Sequence, residues 1–570
     1  MELSDAIERP RVDNVFLRKG PRQPQPGSLA LIGHHMIFSP TDSSPTSPKG
    51  MTRSDNELWL LHRAVDRVIV EPVSRDNITR GGYLILKCKN FMVCVFEVND
   101  FEDCMAVGRS IEKLSRLSCI QQEYPFYYRC PFTVLDNGWT AFDTEQEFAR
   151  LVVCCKEGWR ISSVNKGFRV CGSYPEMVIV PKGIGDDYLR ISATFREGGR
   201  FPVLSYYHQE TKASIVRCGQ PLIGPANRRC KEDETILKAL LSSTSKGVII
   251  DTRSKQLAQN AKSKGGGCEP LINYSQWKYV HSVVPRCREF RDALKKLVEL
   301  CSEVNPSCDR WLSKLCASGW MQAIASTLTA SATVAQCVHC EGSAAEVPIV
   351  VHGAEGTDAT LLVTSLSQLL LDSDARTIRG FESLIEREWI TAGHPFSTRC
   401  AHSAYDNGLA TSPTSDAPIF LCFLDCVWQI YQQFPCSFEF TEEFLIFLFE
   451  HAYASEFGSF LDKYQMEVKK RTVSLWSYVN NPEILRTFVN ALYEPNDSVL
   501  WPSVAPQSIM FWERLFLRWV RDWKQTDGVK QTIMRWKNRE KELQSKVLVL
   551  RRQLIELSKE AHLQNANAAT

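Results

Sequence analysis

The stretch PIVVHGAEGTDAT (348–360) takes an apolar strand into a Gly-containing loop, and the loop into the helical run LLVTSLSQLLLD. Loop amides and a helix N-terminus both aim positive partial charge at an anion, so the arrangement suits a phosphate group. Phosphoryl transfer at such a loop also calls for a nucleophile and a cation. The loop holds no Cys, Lys or Arg, and it carries two acids, Glu355 and Asp358. Without a cation to balance them, these acids should repel a phosphate. The expectation is a cradle without the groups that perform the chemistry, with Gly356 keeping the loop flexible.

A nucleophile could have moved elsewhere. Cys154 and Arg160 in CCKEGWR fit C-x5-R, but in a chain with 21 Cys chance supplies about one such pair. The following ISSVN reads as a strand, so no helix N-terminus meets that loop. The pair is expected to be structural, in a Trp-containing strand of the sheet. Cys337 and Cys340 form the one C-x-x-C (CVHC). A zinc site needs about four ligands, and no second pair stands at useful spacing. They are read as two thiols near a strand start, and no metal or cofactor is expected.

The elements that must position the loop belong to a long chain. Its 570 residues suggest two to four units, and 44% hydrophobic residues describe large cores. A net charge of +2 argues against a nucleic-acid binder acting by bulk electrostatics. The charged start MELSDAIERPRVDN has no apolar signal core, so the cysteines are expected as reduced thiols in the cytoplasm. The most apolar run, APIFLCFLDCVWQIY, is interrupted by Asp425, so any membrane contact is expected to be peripheral.

Residues 1–118 read as β-rich. SLALIGHHMIF, ELWLLHRAVDRVIV and YLILKCKNFMVCVFEV are strand-like, and the Ser/Pro/Thr-rich stretch 39–55 reads as a long loop. Asp100 is placed to cap a helix whose Phe101, Met105, Ile111 and Leu114 share a face. Short strands closed by one helix outline a small β-sandwich or barrel with a helical plug, an outline that pleckstrin-homology-like domains share. From 123 to 505, strand-like runs (MVIVP, GVIID, VPIVVH) alternate with helical ones (KEDETILKALLSS, REFRDALKKLVELC, RWLSKLCASGWMQAIAS), which favours an α/β sheet with a helical C-terminal part.

In 526–561, Val529, Ile533, Trp536, Glu540, Leu543, Val547, Leu550, Leu554 and Leu557 follow at strict 4-3 spacing, the seam of a coiled coil. The tail 562–570 reads as frayed and disordered. Of the flanking positions Lys537, Arg539, Gln544, Lys546, Arg551, Gln553, Ser558 and Glu560, the first half is nearly all basic. In a parallel homodimer Lys546 would face Arg551 of the other chain, and Glu540 sits at a seam position. Both features disfavour self-pairing and favour a partner helix with acidic flanks.

Six stretches carry a resemblance: GGRFPVLSYYH (198–208), RCGQPLIG (217–224), IIDTRSKQLAQNAKSKGGGCE (249–269), DRWLSKLCASGWMQAI (309–324), RTIRGFESLIEREWITAGHPF (376–396) and the loop itself. In content and order they resemble the myotubularin family. The resemblance implies a PH-GRAM domain, a Cys-dependent phosphatase-like domain and a coiled coil. Active members remove the 3-phosphate from phosphatidylinositol 3-phosphate and the 3,5-bisphosphate, with a loop that reads H-C-S-D-G-W-D-R-T. Here His352 matches, Gly353 stands at the nucleophile, Ala354 replaces Ser and Glu355 replaces Asp. Gly356 is kept, Thr357 replaces Trp, the acid Asp358 is kept, Ala359 replaces the clamping Arg, and Thr360 is kept.

The resemblance therefore implies the family's fold without its reaction. Glycine cannot form a thiolate, and Ala359 removes the fork-shaped cation that would steady the transferring phosphoryl group. The expected function is that of a non-enzymatic regulatory subunit. It would bind an active paralogue through the coiled coil, in the manner linked with myotubularin-related proteins 6, 7 and 8, in the cytoplasm or peripherally on endosomal or other endomembranes. The alternatives are an adaptor that binds phosphoinositide membranes through the PH-GRAM domain alone, and a residual phosphatidylinositol 3-phosphate phosphatase. Arg200 and the run KSKGGG (262–267) could face anionic lipid, but no role is assigned to them.

Overall fold

The computed structural model describes residues 3–19, 23–41, 57–75, 78–117, 119–142, 144–154, 158–241, 246–303, 307–339, 347–405, 415–461 and 466–520, with 536, 547, 550, 551 and 554. The chain divides into two units, Met1–Phe516 and Leu517–Thr570.

The larger unit begins with a seven-stranded antiparallel sheet. Its strands are β1 (Arg11–Lys19), β2 (Gln25–Leu31), β3 (His35–Pro40), β4 (Leu58–Leu61), β5 (Val65–Arg75), β6 (Ile78–Cys88) and β7 (Val93–Val98), in the order β4-β3-β2-β1-β7-β6-β5. Alternation does the sorting: Val15, Leu17, Leu29, Leu31, Met36, Phe38, Leu84, Leu86, Phe96 and Val98 are buried. The run 57–70 is two strands, because His62–Ala64 make a 3-10 turn between β4 and β5. Asp100 caps the helix Phe101–Ser115 as expected, its Oδ1 accepting from the amides of Glu102 (2.7 Å) and Asp103 (3.1 Å). The buried face is Cys104, Val107, Ile111 and Leu114. Phe101 and Met105 are only half-buried on its flank, a correction to the expected stripe.

This domain docks on the helical C-terminal part of the same unit through polar and aromatic contacts. Asp66 accepts from Ser403 N and Oγ (3.0 Å each) and pairs with His402 Nδ1 (2.8 Å). Phe91 stacks on Phe449 and Phe516, with centroids 5.3 and 5.5 Å apart.

The next sheet has five strands, β10 (Val203–Tyr207), β11 (Ser214–Arg217), β12 (Gly247–Asp251), β13 (Trp277–His281) and β14 (Pro348–His352). Their order is β10-β11-β14-β12-β13; β10 and β11 are antiparallel and the other pairs parallel. A separate two-stranded sheet joins β8 (Trp159–Ser162) to β9 (Val178–Pro181). The expected Trp-containing strand is thus real but lies outside the main sheet, and Cys154 ends a helix, Thr144–Cys154.

β14 is buried along its whole length, as a central parallel strand covered on both faces must be. The helix after it, Ala359–Leu371, is buried from Thr360 to Leu371 and packs against the helices Trp320–Val338 and Ile419–Gln433. Asp425, the charge inside the apolar run, lies on the last of these. It accepts from Trp320 Nε1 (2.8 Å) and Gln429 Nε2 (2.9 Å), so a buried acceptor is satisfied rather than exposed. Among the described residues no helix is long and apolar enough to cross a membrane, and no cluster suits a metal ion. Cys337 stands at the end of the helix Trp320–Val338, not at a strand start; Cys340 lies outside the described residues.

In the smaller unit, Trp536, Val547, Leu550 and Leu554 are helical and exposed, at 72%, 48%, 60% and 69%. The other seam positions, Val529, Ile533, Glu540, Leu543 and Leu557, and the tail 562–570 lie outside the described residues.

Candidate functional site

β14 delivers its C-terminal end to the loop, and parallel β12 delivers its own end alongside, pairing Asp251 with His352. The loop 353–358 turns over this edge into the N-terminus of Ala359–Leu371. Gly356 takes φ of 83°, and a Cβ on it would stand 2.7 Å from the Cys218 carbonyl oxygen. Glycine is required there by conformation and by close approach. The Ala354 carbonyl accepts from the Gln220 amide (2.9 Å), which anchors the loop from the side. The amides of 354–358 donate to no group among the described residues. The strand–loop–helix order read from the sequence is therefore present at 348–371.

Beneath the loop lies a buried ionic chain. His352 Nε2 meets Glu269 (3.0 Å), Glu269 accepts from Arg196 Nη1 (2.6 Å), and Arg196 grips Asp233 with two bonds (2.9 and 2.7 Å). Burial alone would lower the His352 pKa, but the Glu269 carboxylate overrides it and raises it. Burial would likewise raise Glu269, and His352 with Arg196 hold it well below the usual carboxylate range. A second pair, Arg253 on Asp251 with Tyr279 donating to the same carboxylate (2.6 Å), fixes the end of β12. These groups pin the strand ends and the segment up to Glu269, and their charges are spent on one another.

Above the helix N-terminus, Asp358 is the acid that the loop keeps. Arg399 clasps it with Nε (3.0 Å) and Nη2 (2.8 Å), and His394 Nδ1 stands 3.4 Å away. Burial would raise its pKa, but His394 and Arg399 bring it far below the ordinary aspartate value. The expectation of two acids unbalanced by arginine is corrected for Asp358: its cation comes from 399. Glu355 is exposed. Both partners favour the ionised form, which has no proton to give a leaving oxygen.

One thiol does stand at the loop. Cys287, first residue of the helix Cys287–Cys301, places Sγ 3.5 Å from Asp358 Oδ2. Burial and the neighbouring carboxylate push it up to about 12, so at neutral pH it is a thiol that donates to Asp358, not a thiolate. Arg160 is occupied elsewhere, on the Ile184 carbonyl (2.6 Å) and Asp186 (2.6 Å). Arg200 is 1% exposed, lies over the Tyr174 ring at 4.3 Å and donates to Ser173 Oγ and the Ala392 carbonyl. A lipid-facing Arg200 is therefore corrected. In the KSKGGG run, Gly267 gives its carbonyl to Arg253 (2.8 Å), while Lys262 and Lys264 are exposed.

Positions 352–360 form the turn between β14 and the helix Ala359–Leu371, with Gly at 353 and Ala at 359. Arg399, His394, Cys287 and Glu269 are not singled out by spacing. His394 and Glu269 lie inside stretches that carry the resemblance, which is the available signal.

A GRAM-type sheet domain followed by a phosphatase-like domain with a strand–loop–helix phosphate cradle defines the class. Residues 123–469 match the family of the myotubularin-like phosphatase domain, and 11–115 match the GRAM domain of the MTMR6-9 group. The chain belongs to the myotubularin family. It is 55% identical to myotubularin-related protein 9 of Caenorhabditis elegans, covering 98% of this chain and 99% of that one. To the human protein of the same name it is 48% identical, over 99% and 100%. Human phosphatidylinositol-3-phosphate phosphatase MTMR7 is 32% identical over 94% of this chain and 80% of its own.

Proposed function

We propose that the chain is a pseudophosphatase: a myotubularin that keeps the phosphate cradle, performs no hydrolysis and serves as the regulatory partner of an active 3-phosphatase. The observation that carries the reading is the loop itself. Position 353 offers no nucleophile and position 359 no guanidinium; Arg399 and His394 favour the carboxylate form of Asp358, and burial favours the thiol form of Cys287. Loss of a single preorganised donor costs ~3 kcal/mol of transition-state stabilisation, and loss of the nucleophile removes the covalent route itself.

The regulatory half of the reading rests on the seam. Trp536, Val547, Leu550 and Leu554 present apolar surface on helical backbone, and the basic flanks disfavour a homodimer. The partner is a phosphoinositide 3-phosphatase of the same family, such as myotubularin-related proteins 6, 7 or 8. The complex stabilises that partner, activates it or brings it to endomembranes from the cytoplasm. The test is co-purification with an active member, using the full chain and a chain lacking 526–570. Loss of the partner on deletion supports the reading, and full retention sinks the coiled-coil assignment.

A further inference from the structure

Gly353 and Gly356 are glycines for different reasons. Gly356 has a positive φ and faces a carbonyl, whereas Gly353 is not among the residues with positive φ. Its backbone would accept an L side chain. What bars one is the side chain of the residue just after β12: a Cβ built on Gly353 would lie 2.5 Å from Thr252 Oγ1, and 3.6 Å from Thr360 Oγ1. The second contact is ordinary, and the first is far inside the repulsive wall.

Thr252 has little room to yield. It follows β12 directly, it is 2% exposed, and its backbone is held on both sides. Its N–H donates to the His352 carbonyl and its own carbonyl accepts from Val284 N–H, both at 2.9 Å. Only rotation about χ1 can move the hydroxyl, and a β-branched side chain is stiff at χ1; one of the alternative wells brings the methyl towards the same space.

We infer that the Thr252 hydroxyl occupies the seat that any nucleophilic side chain at 353 would need, and that the loop is fitted around a bare position. This deepens the pseudophosphatase reading and rests on it. The change at 353 is then one half of a pair, with Thr252 as the positioning residue that keeps 353 bare. A side chain can return to 353 only if Thr252 is trimmed.

The experiment is a double-mutant cycle on the full chain, read by thermal unfolding of wild type, Gly353→Ala, Thr252→Ala and the double variant. Alanine adds the Cβ and no chemistry. Gly353→Ala is expected to lower Tm by about 2 °C or more, and the same substitution made on Thr252→Ala is expected to cost little or nothing. An unchanged Tm for Gly353→Ala, or an equal loss whichever residue occupies 252, overturns the inference. If Gly353→Ala yields insoluble protein, recovery of soluble protein in the double variant supports it, and continued insolubility overturns it. Lipid turnover by the unmodified chain would end the pseudophosphatase reading and leave this cycle untouched; additivity in the cycle would end the role of Thr252 and leave that reading standing.

Discussion

Arg399 holds Asp358 with a two-pronged grip, Nε 3.0 Å from one carboxylate oxygen and Nη2 2.8 Å from the other. Their side chains are 13% and 15% exposed, so the pair is largely withdrawn from water. Removing one member of such a pair strands the other. Arg399→Ala is expected to lower stability by about 3 kcal/mol, read as a shifted urea midpoint. Arg399→Leu with Asp358→Asn should recover much of the loss, since no charge is then left unpaired. A neutral Arg399→Ala would show that the grip is incidental.

Asp425 supplies a pH dependence. Burial pushes its pKa up to about 6, against the opposing hydrogen bonds from Trp320 and Gln429. The folded state therefore keeps a proton that the unfolded chain releases near pH 4. This contribution is full below about pH 4 and is lost as the pH rises through about 6. Asp425→Asn removes the titration. Whatever constant offset the amide introduces, the variant should gain on wild type by about 2 kcal/mol between pH 4 and pH 7 in chemical denaturation. A pH-independent difference would contradict the assignment.

The exposed seam makes a prediction about partnership. Leu550→Glu with Leu554→Glu places charge on two helical positions that are 60% and 69% exposed. Charge on side chains this exposed meets water rather than a core, so the thermal unfolding of the isolated chain should be unchanged. Capture of an active myotubularin should fall at least about tenfold, since each buried leucine contributes on the order of 1.5–3 kcal/mol to an interface. Unchanged capture would place the partner contact elsewhere.

Much of the fold is legible in the sequence because its signals are local. The alternation in β2, the Asp100 cap and the strand–loop–helix order at 348–371 each lie within a few residues of one another. The reading of the loop as degenerate is local for the same reason: Gly353 and Ala359, on which it rests, lie within seven consecutive positions. What spacing cannot reveal is what tertiary packing brings in. Arg399 reaches Asp358 across 41 residues, Cys287 across 71, and Glu269 reaches His352 across 83. Asp358 is not left unbalanced as expected, because its cation, Arg399, lies outside the loop. Cys154 reads as part of a strand region because ISSVN after it is strand-like, yet Thr144–Cys154 is a helix.

Rebuilding the loop is a sharper trial. Gly353→Cys with Ala359→Arg, made on Thr252→Ala so that 353 has room for a side chain, returns a thiol and a guanidinium to the loop, but Thr357, Glu355 and the clasped Asp358 stay as they are. Phosphate release from a soluble 3-phosphoinositide should stay at least about 100-fold below that of active relatives. Full activity would show that the remainder of the site had been kept in working order.

The most direct measurement is phosphate release by the purified, unmodified chain, free of any other myotubularin, presented with phosphatidylinositol 3-phosphate and its 3,5-bisphosphate. A pseudophosphatase gives release indistinguishable from a protein-free blank, and that is the expected result. Turnover at the rate of the catalytic family members would contradict it.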